Sequence, residues 1–231
     1  MQFKTEKTIG WSLLLGSVLV LIPYTILVMQ FNYPDILRKP TGEILMQFHQ
    51  GGNPLIYTWL AFALVGLPLL KASVLIGQKY QDSYSFVKWG TILGIVGFVV
   101  QIIGLLRWVF VVPVLANDYV TGNELTKAAS VTAFKVIHQF GGVLLGEHLG
   151  QLFSIAWTIM VAALFLKLKL FPRSLHYFGI TASVIYLSAQ AELLNTVIPG
   201  FPYIGISGFL GSTLWLIYLM LLGGNFLLHK K

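Results

Sequence analysis

Hydrophobic positions in this chain come in long unbroken blocks, without the strict alternation of a half-buried strand or the narrow stripe of a surface helix. Blocks with few or no charges lie at about 9–30, 53–76, 88–113, 138–166, 174–198 and 203–228. Each reaches the length of roughly 20 residues that crosses a bilayer as a helix. The pattern therefore predicts an all-α fold, a polytopic membrane helix bundle with six transmembrane helices, built as a single domain over residues 1–231. Lys4 and Lys7 precede the first block, as basic residues precede a secretory signal. No small-residue cleavage site follows Phe31, so this block is expected to remain as a helix.

Two connections are longer than the rest, 31–52 and 114–137. In the first, Pro34, Pro40 and Gly42 interrupt the chain before the short apolar stretch ILMQFHQ. That stretch is expected to lie on the membrane surface and to end at Gly51 and Gly52. In the second, Thr121 and Glu124 have the spacing of a capping box ahead of a helix through Lys127 and Lys135. This helix should lead into the fourth block, with a bend at Gly141 and Gly142. Trp11, Tyr33, Tyr57, Trp89, Tyr177 and Tyr203 stand near block ends, where an interfacial belt and ordinary packing explain them equally well.

Composition narrows the class further. Of the residues, 56% are hydrophobic and 10% charged, which fits a chain whose main partner is the lipid bilayer. The formal charge of +7 does not indicate a nucleic-acid partner, because the basic residues sit between the blocks and form no single face. They do set an orientation. Lys4, Lys7, Lys71, Lys79, Lys88, Lys167, Lys169, Arg173, Lys230 and Lys231 fall on one side of the predicted topology, and Arg38, Lys39, Lys127 and Lys135 on the other. The excess places both termini in the cytoplasm and turns the two long connections outward. With no cysteine, disulfides, thiolate metal sites and a cysteine nucleophile are excluded. No phosphate loop, GxSxG elbow or dinucleotide fingerprint is present, and no cofactor is indicated.

Three ionisable residues other than histidine fall inside predicted spans: Arg107, Glu147 and Glu192. Such residues usually face the bundle interior and have partners there. At the helical rise, Arg107 lies about 9 Å, Glu147 about 12 Å and Glu192 about 10 Å below the outer ends of their spans. Phase adds to this coincidence of depth. Gly90, Gly94, Gly97, Gln101 and Gly104 share a face that Arg107 borders, and Thr181, Ser188, Glu192 and Asn195 make a polar stripe. Glu147 and Gln151 stack beside the four-residue spacing of Gly142, Gly146, Gly150 and Ser154, and Gly205, Gly208 and Ser212 give another small face. The expected pocket, in the outer half of the bilayer, is formed by Arg107, Glu147 and Glu192 and lined by Gln101, Gln151, Ser188, Asn195 and His148.

The plain alternative is a buried Arg107–glutamate pair that only fixes helix packing. The functional reading starts from one arginine against two glutamates, an imbalance suited to a cation or a proton. His148 adjoins Glu147 but points about 100° away around a helix. His49, His138, His148 and Glu147 could be imagined as a metal set, but no HExxH, paired-histidine or CxxCH spacing supports one, and no metal site is assigned. His176 and His229 read as residues of the cytoplasmic interface.

RWVFVVPVLA at 107–116, with GGVLLGEHLGQLFSIAWT following His138 and Gln139–Phe140, resembles over nearly the whole chain a bacterial integral membrane family known only as domain of unknown function 4386. The resemblance implies a six-span protein of the bacterial inner membrane, with Arg107, Glu147 and His148 in the motif positions. It implies no activity. Three functional classes stay open: a transport or sensing protein for a small-molecule or proton ligand, an intramembrane enzyme using a glutamate and His148 as acid and base, and an accessory subunit packed on a membrane-protein partner.

Overall fold

The computed structural model describes residues 2–229. Lys230 and Lys231, counted above for orientation, lie outside the described residues. The elements are α1 (Gln2–Leu19), α2 (Leu21–Phe31), a short 3-10 turn (Asp35–Arg38), α3 (Thr41–Leu64), α4 (Leu67–Tyr80), α5 (Phe86–Phe110), α6 (Val112–Thr121), α7 (Glu124–Ile137), a π-helix (His138–Leu149), α8 (Gly150–Lys167), α9 (Arg173–Ser188), α10 (Gln190–Asn195) and α11 (Ser207–Leu228). No strand occurs among the described residues. Joined across their kinks, Lys4–Phe31, Thr41–Tyr80, Phe86–Thr121, Glu124–Lys167 and Ser207–Leu228 give 5 helices long and apolar enough to cross a membrane. The protein is an all-α, multi-pass membrane helix bundle.

The expected block 174–198 is divided between α9 and α10. The division has a local cause. Ala189 donates to Tyr186 O and Glu192 to Ala189 O, both at 3.1 Å, so the backbone closes tight three-residue turns on either side of Ala189. The long connections are also more helical than expected. α3 begins after Pro40 and breaks at Gly52, whose φ of 54° and ψ of −153° suit only glycine. Ile44, Leu45 and Phe48 are buried in protein, so the apolar side of ILMQFHQ faces a core and not lipid. At the start of α7 the cap is Asn123, not Thr121. The Asn123 side-chain oxygen accepts from the Thr126 backbone N–H at 3.0 Å, whereas Thr121 donates back to Asn117 O within α6.

The chain forms two compact units. Unit 1 comprises Met1–Val18, Leu67–Val99 and His148–Lys231, and unit 2 comprises Leu19–Gly66 and Val100–Glu147.

In unit 1, α9 packs on α8 and α11 around Trp157, Phe165, Trp215 and Tyr218. α1 and α11 cross where neither carries a side chain: a Cβ on Gly10 would stand 2.8 Å from Gly223 O, and one on Gly223 2.9 Å from Gly10 O. Trp215 Nε1 donates to Thr158 Oγ1 at 2.8 Å, and that hydroxyl donates to Ser154 O. His176 is fully buried and is not an interface residue. Its Nε2–H reaches Leu170 O at 2.7 Å, holding the turn between α8 and α9 in which Lys169 and Phe171 adopt positive φ.

In unit 2, α3 packs on α2, α6 and α7. Its core is aromatic. Trp59 stacks on Trp108 with centroids 4.7 Å apart, and Phe31 meets both edge-on. Such pairs contribute roughly 0.5–1.5 kcal/mol each beyond their buried area. Tyr33 stands edge-on to Trp59 at 5.3 Å, so packing explains it. Trp11, Tyr57, Trp89, Tyr177 and Tyr203 are exposed, as a belt would need.

Candidate functional site: the buried arginine of unit 2

A buried charge of unit 2 sits near the end of α5. Arg107 is 7% exposed, in surroundings where an uncompensated cation costs several kcal/mol. Five partners offset that cost. Nη1 donates to Gly104 O one turn back, and Nη2 lies 3.4 Å from His138 Nδ1. The guanidinium carbon stands 5.2 Å from the centre of the Trp108 ring, in cation–π range. Glu147 and Tyr33 both interact with it electrostatically. Nε is buried without a hydrogen-bond partner.

His138 is positioned as firmly as the arginine. Its ring stacks on Phe134 at 5.3 Å and meets Trp108 edge-on at 6.3 Å. An arginine can only donate, so Nδ1 is the acceptor and the imidazole proton belongs on Nε2.

The wide winding of His138–Leu149 shapes this cluster. In a π-helix the hydrogen bonds run from i to i+5, so residues five apart share a face. Gly141 and Gly146 have that spacing, and both face Gly104: a Cβ on Gly104 would stand 2.7 Å from Gly141 O and 2.7 Å from Gly146 Cα. The four-residue stripe expected from Gly142 and Gly146 is thereby split, because Gly142 turns to the guanidinium. Gln101, half-buried on the same helix as Arg107, also belongs to unit 2.

The remaining expected site residues belong to unit 1. His148 Nδ1 lies 2.6 Å from Gln190 Oε1, and Gln190 Nε2 donates to Gln151 Oε1 at 2.8 Å. A carbonyl oxygen accepts, so Nδ1 of His148 carries the proton. Ser188 is exposed and donates to Ile185 O, while Asn195 donates to Phe201 O at 2.9 Å and closes the turn after α10. Glu192 runs along Gly208, whose added Cβ would stand 3.9 Å from Oε2. Two participants escaped the sequence reading. In the sequence His138 enters only through a metal set that no ligand spacing supports, and the one signal for Gln190 is that it is a polar amide in an apolar block. Among the described residues no three His, Asp or Glu side chains converge as a metal set.

A family model described as Domain of unknown function (DUF4386) matches residues 8–223. The chain belongs to this family. No curated protein and no solved structure matches it. For this DUF4386 member, the match includes both the arginine cluster and the amide–histidine chain.

Proposed function

We propose that this membrane protein holds a small solute or a proton at a buried polar site, for transport or sensing, and that Arg107 anchors the site in unit 2. The observation that carries the reading is a buried guanidinium with one N–H, Nε, left without an acceptor. Arginine presents its donors in a fixed fork that matches a carboxylate or similar anionic group. Glu147 supplies the opposing charge. Protonating it removes that charge and strengthens the hold of Arg107 on an anion, which couples proton and solute. In unit 1 we assign Glu192 as a second acid able to exchange a proton. His148 and Gln151 are its polar companions in the proposal, as are Ser188 and Asn195, and Gln101 supports Arg107. The distribution of basic residues supports an orientation with both termini in the cytoplasm of a bacterial inner membrane.

Reconstitution into vesicles loaded with a pH-sensitive dye tests the reading, with a panel of mono- and dicarboxylates as probes. The expected result is pH-dependent binding or proton movement in the wild-type protein that is lost in Glu147→Gln and Arg107→Lys and retained in Glu147→Asp. Wild-type protein inert to every probe, or variants that fold and behave as wild type, would overturn it.

A further inference from the structure

A second feature lies in unit 1, in the turn between α4 and α5. A groove of about 620 Å³ is lined there by Gln81, Asp82, Tyr84, Ser85, Lys88 and Trp89, with Ile92 at its far end. Tyr80 ends one membrane-crossing helix and Phe86 begins the next, so the groove belongs at the boundary between hydrocarbon and water.

Its lining is graded along that direction. The turn contributes hydroxyl and amide groups from Gln81 and Ser85. One turn into α5 the lining becomes apolar and open, with Trp89 68% and Ile92 50% exposed at i, i+3 on one helix face. Charge is graded too. Lys88 is exposed at the polar end, and Lys167 places Nζ 5.1 Å from the centre of the Tyr84 ring, bringing a second cation from the end of α8. The Tyr84 ring is itself fixed by stacking on Phe86 at 5.6 Å. Among the lining residues Asp82 offsets Lys88, and Lys167, held over the Tyr84 ring beside the groove, supplies the excess positive charge at this end.

We propose that this groove binds one anionic phospholipid. The phosphate diester sits near Lys88 and Lys167, the headgroup and ester oxygens meet Ser85 and Gln81, and the acyl chains run along Trp89 and Ile92. A soluble phosphate ester would use only the polar half and leave the exposed tryptophan and isoleucine face unoccupied. A lipid uses both halves, and basic pockets at the ends of membrane helices are suited to such headgroups.

The test is native mass spectrometry of the full chain released from nanodiscs of phosphatidylcholine mixed with phosphatidylglycerol. Wild-type protein should retain one phosphatidylglycerol in preference to phosphatidylcholine. Lys88→Gln and Lys167→Gln should each weaken that retention roughly fivefold, the worth of one lysine near a membrane surface. Trp89→Ala should weaken retention of both lipids. Lys71→Gln, about 14 Å back along α4 from Tyr80, should leave retention unchanged. Circular dichroism confirms that each variant is folded. The proposal fails if wild-type protein retains both lipids equally, if Lys88→Gln retains phosphatidylglycerol as wild type does, or if soluble glycerol phosphate displaces the lipid.

Discussion

A methyl group placed on Gly142 would stand 2.5 Å from Nη2 and 2.8 Å from Cζ of Arg107. The glycine and the guanidinium thus fill adjoining space, and the arginine has no room to yield because Trp108 and His138 hold its other sides. Gly142→Ala should destabilise the fold by about 1–3 kcal/mol through overpacking. Gly146 makes the contrast. Its added Cβ would meet Gly141 O at 3.4 Å and Gly104 Cα at 3.5 Å, ordinary contact distances, so Gly146→Ala should stay within about 0.5 kcal/mol of wild type. Unfolding titrations in mixed detergent micelles measure both. Equal stabilities for the two variants would show that the guanidinium is free to move aside.

Gln190 bridges His148 and Gln151 with one acceptor and one donor. Gln190→Leu removes both and strands a donor and an acceptor, so it should cost about 0.6–1.7 kcal/mol for each interhelical bond lost. Gln190→Glu keeps the acceptor for His148 while losing the donor to Gln151, and should cost less at the histidine. Nitrogen NMR of labelled histidine reads the consequence directly: His148 should be protonated on Nδ1 in wild type. Finding the proton on Nε2 would reverse the direction of the chain.

The apolar blocks were legible because crossing a bilayer demands length and hydrophobicity that few other structures need. The break at Ala189 was not, since it rests on backbone turns in a stretch with no proline and no glycine. The π-helix was hidden for a related reason. Glycines four apart suggest an α-helical stripe, and only the observed winding shows that Gly141 and Gly146 are the pair sharing a face. Arg107 is singled out by its charge, whereas its partner His138 enters the sequence only through a metal set without supporting spacing, because a histidine near a span end has several ordinary uses. Gln190 carried a signal of the same kind as Gln101 and Gln151. The polar stripe through Glu192 does not point to it, because on a continuous helix that stripe runs along a different face.

The cap of α7 gives a simpler test of local chemistry. Asn123 stands in extended conformation and accepts from the Thr126 backbone and hydroxyl at 3.0 and 3.1 Å. Asn123→Ala should cost about 1 kcal/mol, and Thr121→Ala, which leaves the cap in place, should be close to neutral. Hydrogen exchange over the first turn of α7 should rise in the first variant only. A larger effect from Thr121→Ala would restore the capping box as the operative feature.

Glu6 on α1 and Lys79 on α4 form an ion pair at 3.1 Å within unit 1, and their side chains are only 7% and 13% exposed. Glu6 Oε2 has no hydrogen-bond partner, so the pair is incompletely satisfied and its burial is expensive. Removing one member leaves the other charged and buried, so Glu6→Leu and Lys79→Met should each destabilise by about 3–5 kcal/mol. Removing both removes the desolvation cost along with the attraction, and the double variant should recover to wild type or exceed it. A double-mutant cycle in thermal unfolding reads the coupling between them. Additive losses would show that each side chain is solvated independently and that the pair does not join α1 to α4.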